Sequence, residues 1–170
     1  QIITTDQIKP QKPTWGGHAD FTVVRDTQFN RWIAYYVVPE GLGVAISEDT
    51  FARVGTWRKY YKGSFSEPGI GGKASALDFS RDFRRGGNPS IIYSKKIGKW
   101  LMVYHDWNLR GIYLTQSKDL INWEFPILLI ENTNSVGKIW YPNLIGENND
   151  VYSDSIIWIS YAEFSNNALP

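Results

Sequence analysis

The stretch Gly87-Asn-Pro-Ser-Ile-Ile-Tyr93, with Trp100-Leu-Met-Val-Tyr104 and Gly111-Ile-Tyr-Leu-Thr-Gln-Ser-Lys-Asp119 after it, decides how this chain is read, because it occurs earlier in altered form. The earlier copy runs His18-Ala-Asp-Phe-Thr-Val-Val24, then Trp32-Ile-Ala-Tyr-Tyr36, then Gly41-Leu-Gly-Val-Ala-Ile-Ser-Glu-Asp49. Asp20 aligns with Asn88, Trp32 with Trp100 and Tyr36 with Tyr104, each 68 residues apart. Gly41 aligns with Gly111 and Asp49 with Asp119 at a spacing of 70. A third, partial copy opens at Trp140-Tyr-Pro-Asn-Leu-Ile-Gly146 and continues through Ser155-Ile-Ile-Trp-Ile-Ser-Tyr161. Self-similarity at this period points to a repeat architecture, in which each copy is one supersecondary unit.

Within a copy the pattern is that of strands. Arg31–Val38 (RWIAYYVV) is a run of aromatic and β-branched residues, which suit a pleated, half-buried surface. Asp20–Arg25, Leu42–Ser47 and the segment around Trp57–Tyr61 complete four strands in the first copy. The second predicts strands near 89–93, 99–105, 111–116 and 123–130, and the third near 142–146 and 155–162. The segments Asp26–Arg31 and Ser94–Lys99 carry the turn residues that hairpins require. Helical periodicity is almost absent. The expected fold is therefore all-β and propeller-like, about two and a half blades of four antiparallel strands. Its parts are an extended arm at 1–14, a blade at 15–61, a glycine-rich loop at 62–86, a blade at 87–130 and a half blade at 138–165.

Bulk properties narrow the partners. A net charge of +1, with no basic run longer than two residues, leaves no electrostatic footprint for nucleic acid. Cysteine is absent and only His18 and His105 are present, so neither a disulfide framework nor a multi-histidine transition-metal site is expected. No cofactor or metal is predicted. No apolar run approaches the ~18 residues of a membrane span, so no membrane partner is expected. Eight Trp, ten Tyr and eight Phe suit packed sheets and sugar-binding surfaces alike. The chain opens on Gln1 and is read as a processed or trimmed product, which leaves room for a removed secretion signal; the expected location is extracellular or periplasmic, with the cytoplasm left open.

Ser117-Lys-Asp-Leu-Ile-Asn-Trp-Glu124 resembles the S-x-D-L-x-x-W turn between the third and fourth strands of five-bladed β-propeller glycoside hydrolases, the arabinanase/β-xylosidase-like and invertase-like families. Asn88-Pro-Ser-Ile-Ile-Tyr93 and Trp140-Tyr-Pro-Asn-Leu-Ile-Gly146 are similar to the inner-strand openings of those families. The resemblance covers roughly residues 18–163 and implies carboxylates lining a central funnel, one a base or nucleophile and another an acid. On that basis Asp20, Glu67 and Asp106 are the catalytic candidates. Asp20 matches the inner-strand acid, Glu67 lies on the glycine-rich loop, and Asp106 follows a strand end and aligns with Glu163. Asn88, His105, Trp107, Trp140 and Tyr141 are the substrate-binding candidates. Asn88 departs from the pattern, because an amide takes no proton. Each candidate also has a structural reading: a strand-capping Asp20, a solvated Glu67, tryptophans packed between sheets, and Asp119 and Trp123 as turn and packing residues.

The expected function is recognition, with hydrolysis of a glycosidic bond, in a poly- or oligosaccharide. The alternative is a non-catalytic carbohydrate-binding or assembly module. Two and a half blades leave open strand edges, which natural sheets seldom tolerate. Two copies sum to five blades, so a homodimer is expected.

Overall fold

The computed structural model describes residues 3, 20–80, 86–108, 110–133, 138–147 and 151–164. The chain is all-β and falls into two compact units, Gln1–Asp82 and Phe83–Pro170.

In the first unit, β1 (Thr22–Asp26), β2 (Arg31–Val38), β3 (Gly41–Ser47), β4 (Arg58–Tyr61) and β5 (Ser64–Pro68) form one antiparallel sheet in chain order. β2 is an interior strand, apolar on both faces: Ile33 through Val38 are all buried. One of these faces packs Ala34, Tyr36 and Val38 with Ala45, Trp57, Ala76 and Ile3. The expected four-stranded blade therefore has a fifth strand, and 62–86 is not one loop. Tyr61-Lys62-Gly63-Ser64 makes a two-residue turn with positive φ at both centres (46° and 96°), the primed geometry that returns a chain on itself as a hairpin. A short 3-10 turn follows at Asp78–Ser80. The arm at 1–14 lies outside the described residues except for Ile3, which is buried in this core.

In the second unit, β6 (Gly86–Ser94), β7 (Lys99–Asp106), β8 (Gly111–Ser117) and β9 (Ile127–Glu131) form an antiparallel meander. β10 (Lys138–Gly146) pairs with β12 (Ile157–Phe164) in a separate two-stranded sheet. The two-residue β11 (Tyr152–Ser153), not anticipated from the sequence, lies parallel to the end of β6. Val103 and Ile112 of the meander pack with Ile139 of β10 to form the core. The fourth strand starts at Ile127, later than the expected 123. Asp119 holds the preceding residues in a turn, its carboxylate accepting the backbone N–H of Ile121 (2.9 Å) and Asn122 (2.7 Å). Gly111, with φ of 142°, is fixed as glycine because a Cβ would stand 1.9 Å from the carbonyl oxygen of Ile130.

Candidate functional site

The aligned positions Asp20, Asn88 and Tyr141 share one backbone conformation. All three are left-handed, with φ of 54°, 51° and 54°. For a side chain this costs on the order of 1–3 kcal/mol, and a bulky Tyr suffers most. In β6 and β10 the cause is visible in the ladders. Pairing with β7 skips from Gly87 to Ser90, and pairing of β10 with β12 skips from Trp140 to Asn143. Asn88-Pro89 and Tyr141-Pro142 are thus bulges, where a proline without an N–H fits and a side chain is turned out of the normal alternation.

Around the second and third of these positions the structure gathers an aromatic and polar group. His105, in β7 opposite Gly87, is 3% exposed. Its ring stacks on Trp140 (centroids 4.9 Å apart, planes 16° apart) and makes an edge-to-face contact with Tyr141 at 6.4 Å. Tyr141 contacts Trp140 at 5.9 Å and Phe164 at 6.3 Å, and remains 45% exposed. Gly86 lets β6 lie close beside this strand end; a Cβ there would fall 2.1 Å from the carbonyl oxygen of His105. The His105 Nδ1 is buried and has no hydrogen-bond partner among the described residues. Burial lowers the imidazole pKa to about 4, so the ring is neutral at neutral pH.

Asp106 is 1% exposed. One carboxylate oxygen accepts the Asn108 N–H at 2.9 Å, as in an Asx turn, while Oδ2 is buried without a hydrogen-bond partner among the described residues. Burial pushes the carboxyl pKa up, against the backbone amides of Asn108 and Arg110 and the charge of Arg110. His105 and Asp106 occupy the points of the second sheet where the first has Val37 and Val38, both 1% exposed. The fold at that point is satisfied by two valines. In the second unit a buried imidazole and a buried carboxylate stand there instead, each with an atom unpaired among the described residues, at a desolvation cost the valines avoid.

The other candidates are placed as follows. Glu67 sits on β5, at the opposite edge of the first sheet from β1 and the preceding Asp20. Four strand spacings put them on the order of 19 Å apart along the sheet, against the ~5–9.5 Å between paired glycosidase carboxylates. The strand order thus keeps these two candidates from facing each other as a close carboxylate pair within this sheet. The Glu67 carboxylate instead accepts the Lys73 N–H at 2.9 Å, and it stands on a strand rather than a loop. Trp107 is half-buried just beyond β7, and none of the ring contacts among the described residues involves it. Asp119 and its aligned partner Asp49 cap turns, Asp49 through the Arg53 N–H at 2.9 Å. His18 lies outside the described residues. Sequence reasoning missed Phe164, which touches Tyr141, and the hydroxyl of Ser90, which joins β6 to β10. Nothing in the local pattern of either residue signals such a contact. Among the described residues no group of three or more His, Cys, Asp or Glu is placed to hold a metal ion, and no helix is long and apolar enough to cross a membrane.

No protein-family model matches the chain, and no curated protein matches its sequence. Solved structures do match its fold. The catalytic domain of the Coprinopsis cinerea GH62 alpha-L-arabinofuranosidase aligns over 95% of this chain at 17% identity with a TM-score of 0.53. A GH62 hydrolase solved with xylotriose aligns over 86% (13% identity, TM-score 0.49), and an N-acetylgalactosamine deacetylase from F. plautii over 76% (18% identity, TM-score 0.47). The fold likeness rests on the first of these. This chain spans half or less of their lengths: 50%, 44% and 36% respectively.

Proposed function

We propose that the chain handles an oligo- or polysaccharide, and that its sheets are blade-like units of a β-propeller-type glycoside hydrolase fold. One observation carries the reading. A buried, neutral His105 with an unpartnered Nδ1 backs Trp140, beside a Tyr141 held out in a strained conformation. An exposed Tyr face suits the axial hydrogens of a pyranose or furanose ring. A hydroxyl arriving as the Tyr141 edge yields gives Nδ1 the partner it lacks, worth more there than in water because the nitrogen is desolvated. Asn88 opens the neighbouring bulged strand and adds an amide suited to sugar hydroxyls. Such a role fits an extracellular or periplasmic location.

Hydrolysis is the reaction class that the resemblance and the fold likeness support, with Asp20, Asp106 and Glu67 as candidate carboxylates. Asp106, its pKa raised by burial, has the character of a general acid. The test is turnover of arabinoxylan and aryl-glycosides by the wild-type chain and by Asp20→Asn, Asp106→Asn and Glu67→Gln. The reading expects Asp20→Asn and Asp106→Asn each to lose about 10²–10⁴-fold, with Glu67→Gln within a few-fold of wild type. Turnover unaffected by any of the three contradicts the catalytic assignment.

A second reading, a binding module without turnover, is favoured by Asn88, which cannot exchange a proton where the aligned Asp20 can. It expects oligosaccharide binding that depends on Tyr141 and Trp140, with no product released from any substrate.

A further inference from the structure

The two bulged strands β6 and β10 belong to different sheets, so no ladder fixes one against the other. A hydroxyl on β6 links them. Ser90 Oγ donates to Asn143 Oδ1 at 3.0 Å and accepts the backbone N–H of Leu144 at 2.9 Å. Ser90 stands two residues after Asn88, and Asn143 two residues after Tyr141. In each strand the residue between is a proline, Pro89 or Pro142, whose ring fixes φ near −65°. Each left-handed residue is thus linked to the clasp through one stiff residue, and the position of the clasp is transmitted to Asn88 and Tyr141 with few free torsions. In the first copy the proline's place is taken by Phe21 and the serine's by Thr22, so the stiff arrangement belongs to the second unit alone.

We propose that Ser90, through Asn143 and Leu144, is a positioning residue for the carbohydrate site: it sets the spacing between the Asn88 amide and the Tyr141 ring, and with it the stacking of Trp140 on His105. This rests on the sugar reading above, but it makes claims about the free protein that are independent of any ligand.

The experiment compares wild type, Ser90→Ala, Ser90→Thr and Asn143→Ala in three measurements: amide exchange at Leu144, the His105 ring-proton shift, which reports the Trp140 stack, and affinity for arabinoxylan oligosaccharides by calorimetry. Ser90→Ala is expected to speed Leu144 exchange about tenfold and weaken sugar affinity about tenfold, the scale of one hydrogen bond, and to move the His105 resonance. Asn143→Ala should move the same resonance, and Ser90→Thr should restore all three readouts because it keeps the hydroxyl. Unchanged Leu144 exchange and an unmoved His105 signal in Ser90→Ala overturn the clasp, whatever the sugar does. Faster exchange with full sugar affinity overturns the positioning role. A wild type that binds no sugar sinks the sugar reading instead, and the clasp then stands or falls on the two measurements of the free protein.

Discussion

His105 sets the terms at the residue scale. Its ordinary pKa is near 6.5, and burial holds it near 4 in the folded chain. In the unfolded chain the imidazole therefore takes its proton first as pH falls. Folding stability is unaffected by this group above pH ~6.5, declines between ~6.5 and ~4, and levels off below, a loss on the order of 3 kcal/mol. The raised pKa of Asp106 acts with the opposite sign, withdrawing stability as pH rises through it. Replacing His105 with the valine that holds its place in the first sheet removes the acid limb. We expect His105→Val to unfold later than wild type in thermal melts at pH 5, with a much smaller difference at pH 8, and to lose sugar affinity. Equal pH dependence in both proteins contradicts the burial of a neutral imidazole. The candidates His105, Trp140 and Tyr141 were legible in the sequence as a chemical inventory. Their contacts were not, because they depend on a bulge, and a bulge is a property of two strands that sequence periodicity in one of them does not reveal.

At the scale of elements, strand-forming composition did most of the work. Arg31–Val38 is a strand to the residue, because seven apolar, aromatic or β-branched residues in a row after Arg31, with no Gly or Pro, leave little alternative. β5 escaped notice for the converse reason: Ser64-Phe65-Ser66-Glu67-Pro68 is polar, ends on proline and forms an exposed edge, so only its pairing with β4 makes it a strand. The turn that delivers it is testable. Lys62 sits at φ 46° ahead of Gly63 at 96°, and Asn is far better than Lys at the first position of such a turn. Lys62→Asn is expected to stabilise the first unit by about 0.5–1 kcal/mol, read as a higher denaturant midpoint at unchanged slope. A lower midpoint contradicts the turn assignment. The positive φ shared by Asp20, Asn88 and Tyr141 shows what alignment of the copies can and cannot give: it picked matching positions, but the strain at them became visible only in the backbone.

At the scale of the whole molecule, the edge at β12 bears on assembly. Among the described residues it pairs only with β10, and it leaves Trp158 50% and Tyr161 42% exposed on an eight-residue strand with no Lys or Pro to discourage pairing. We propose that two copies associate. Light scattering at micromolar concentration should then give about twice the 19.5 kDa of one chain, and Trp158→Lys should lower that mass. A stable monomer with an ordinary unfolding transition contradicts the proposal.

The proposed sugar site at His105, Trp140 and Tyr141 of the second unit is tested by titrating isotope-labelled chain with arabinoxylan oligosaccharides, followed by nuclear magnetic resonance. The account predicts saturable shifts of the His105 ring and the Trp140 indole, abolished by Tyr141→Ala, while resonances of β3 and β4 stay put. Signals at His105 and Trp140 that never move, or that move no more than those of β3, contradict it.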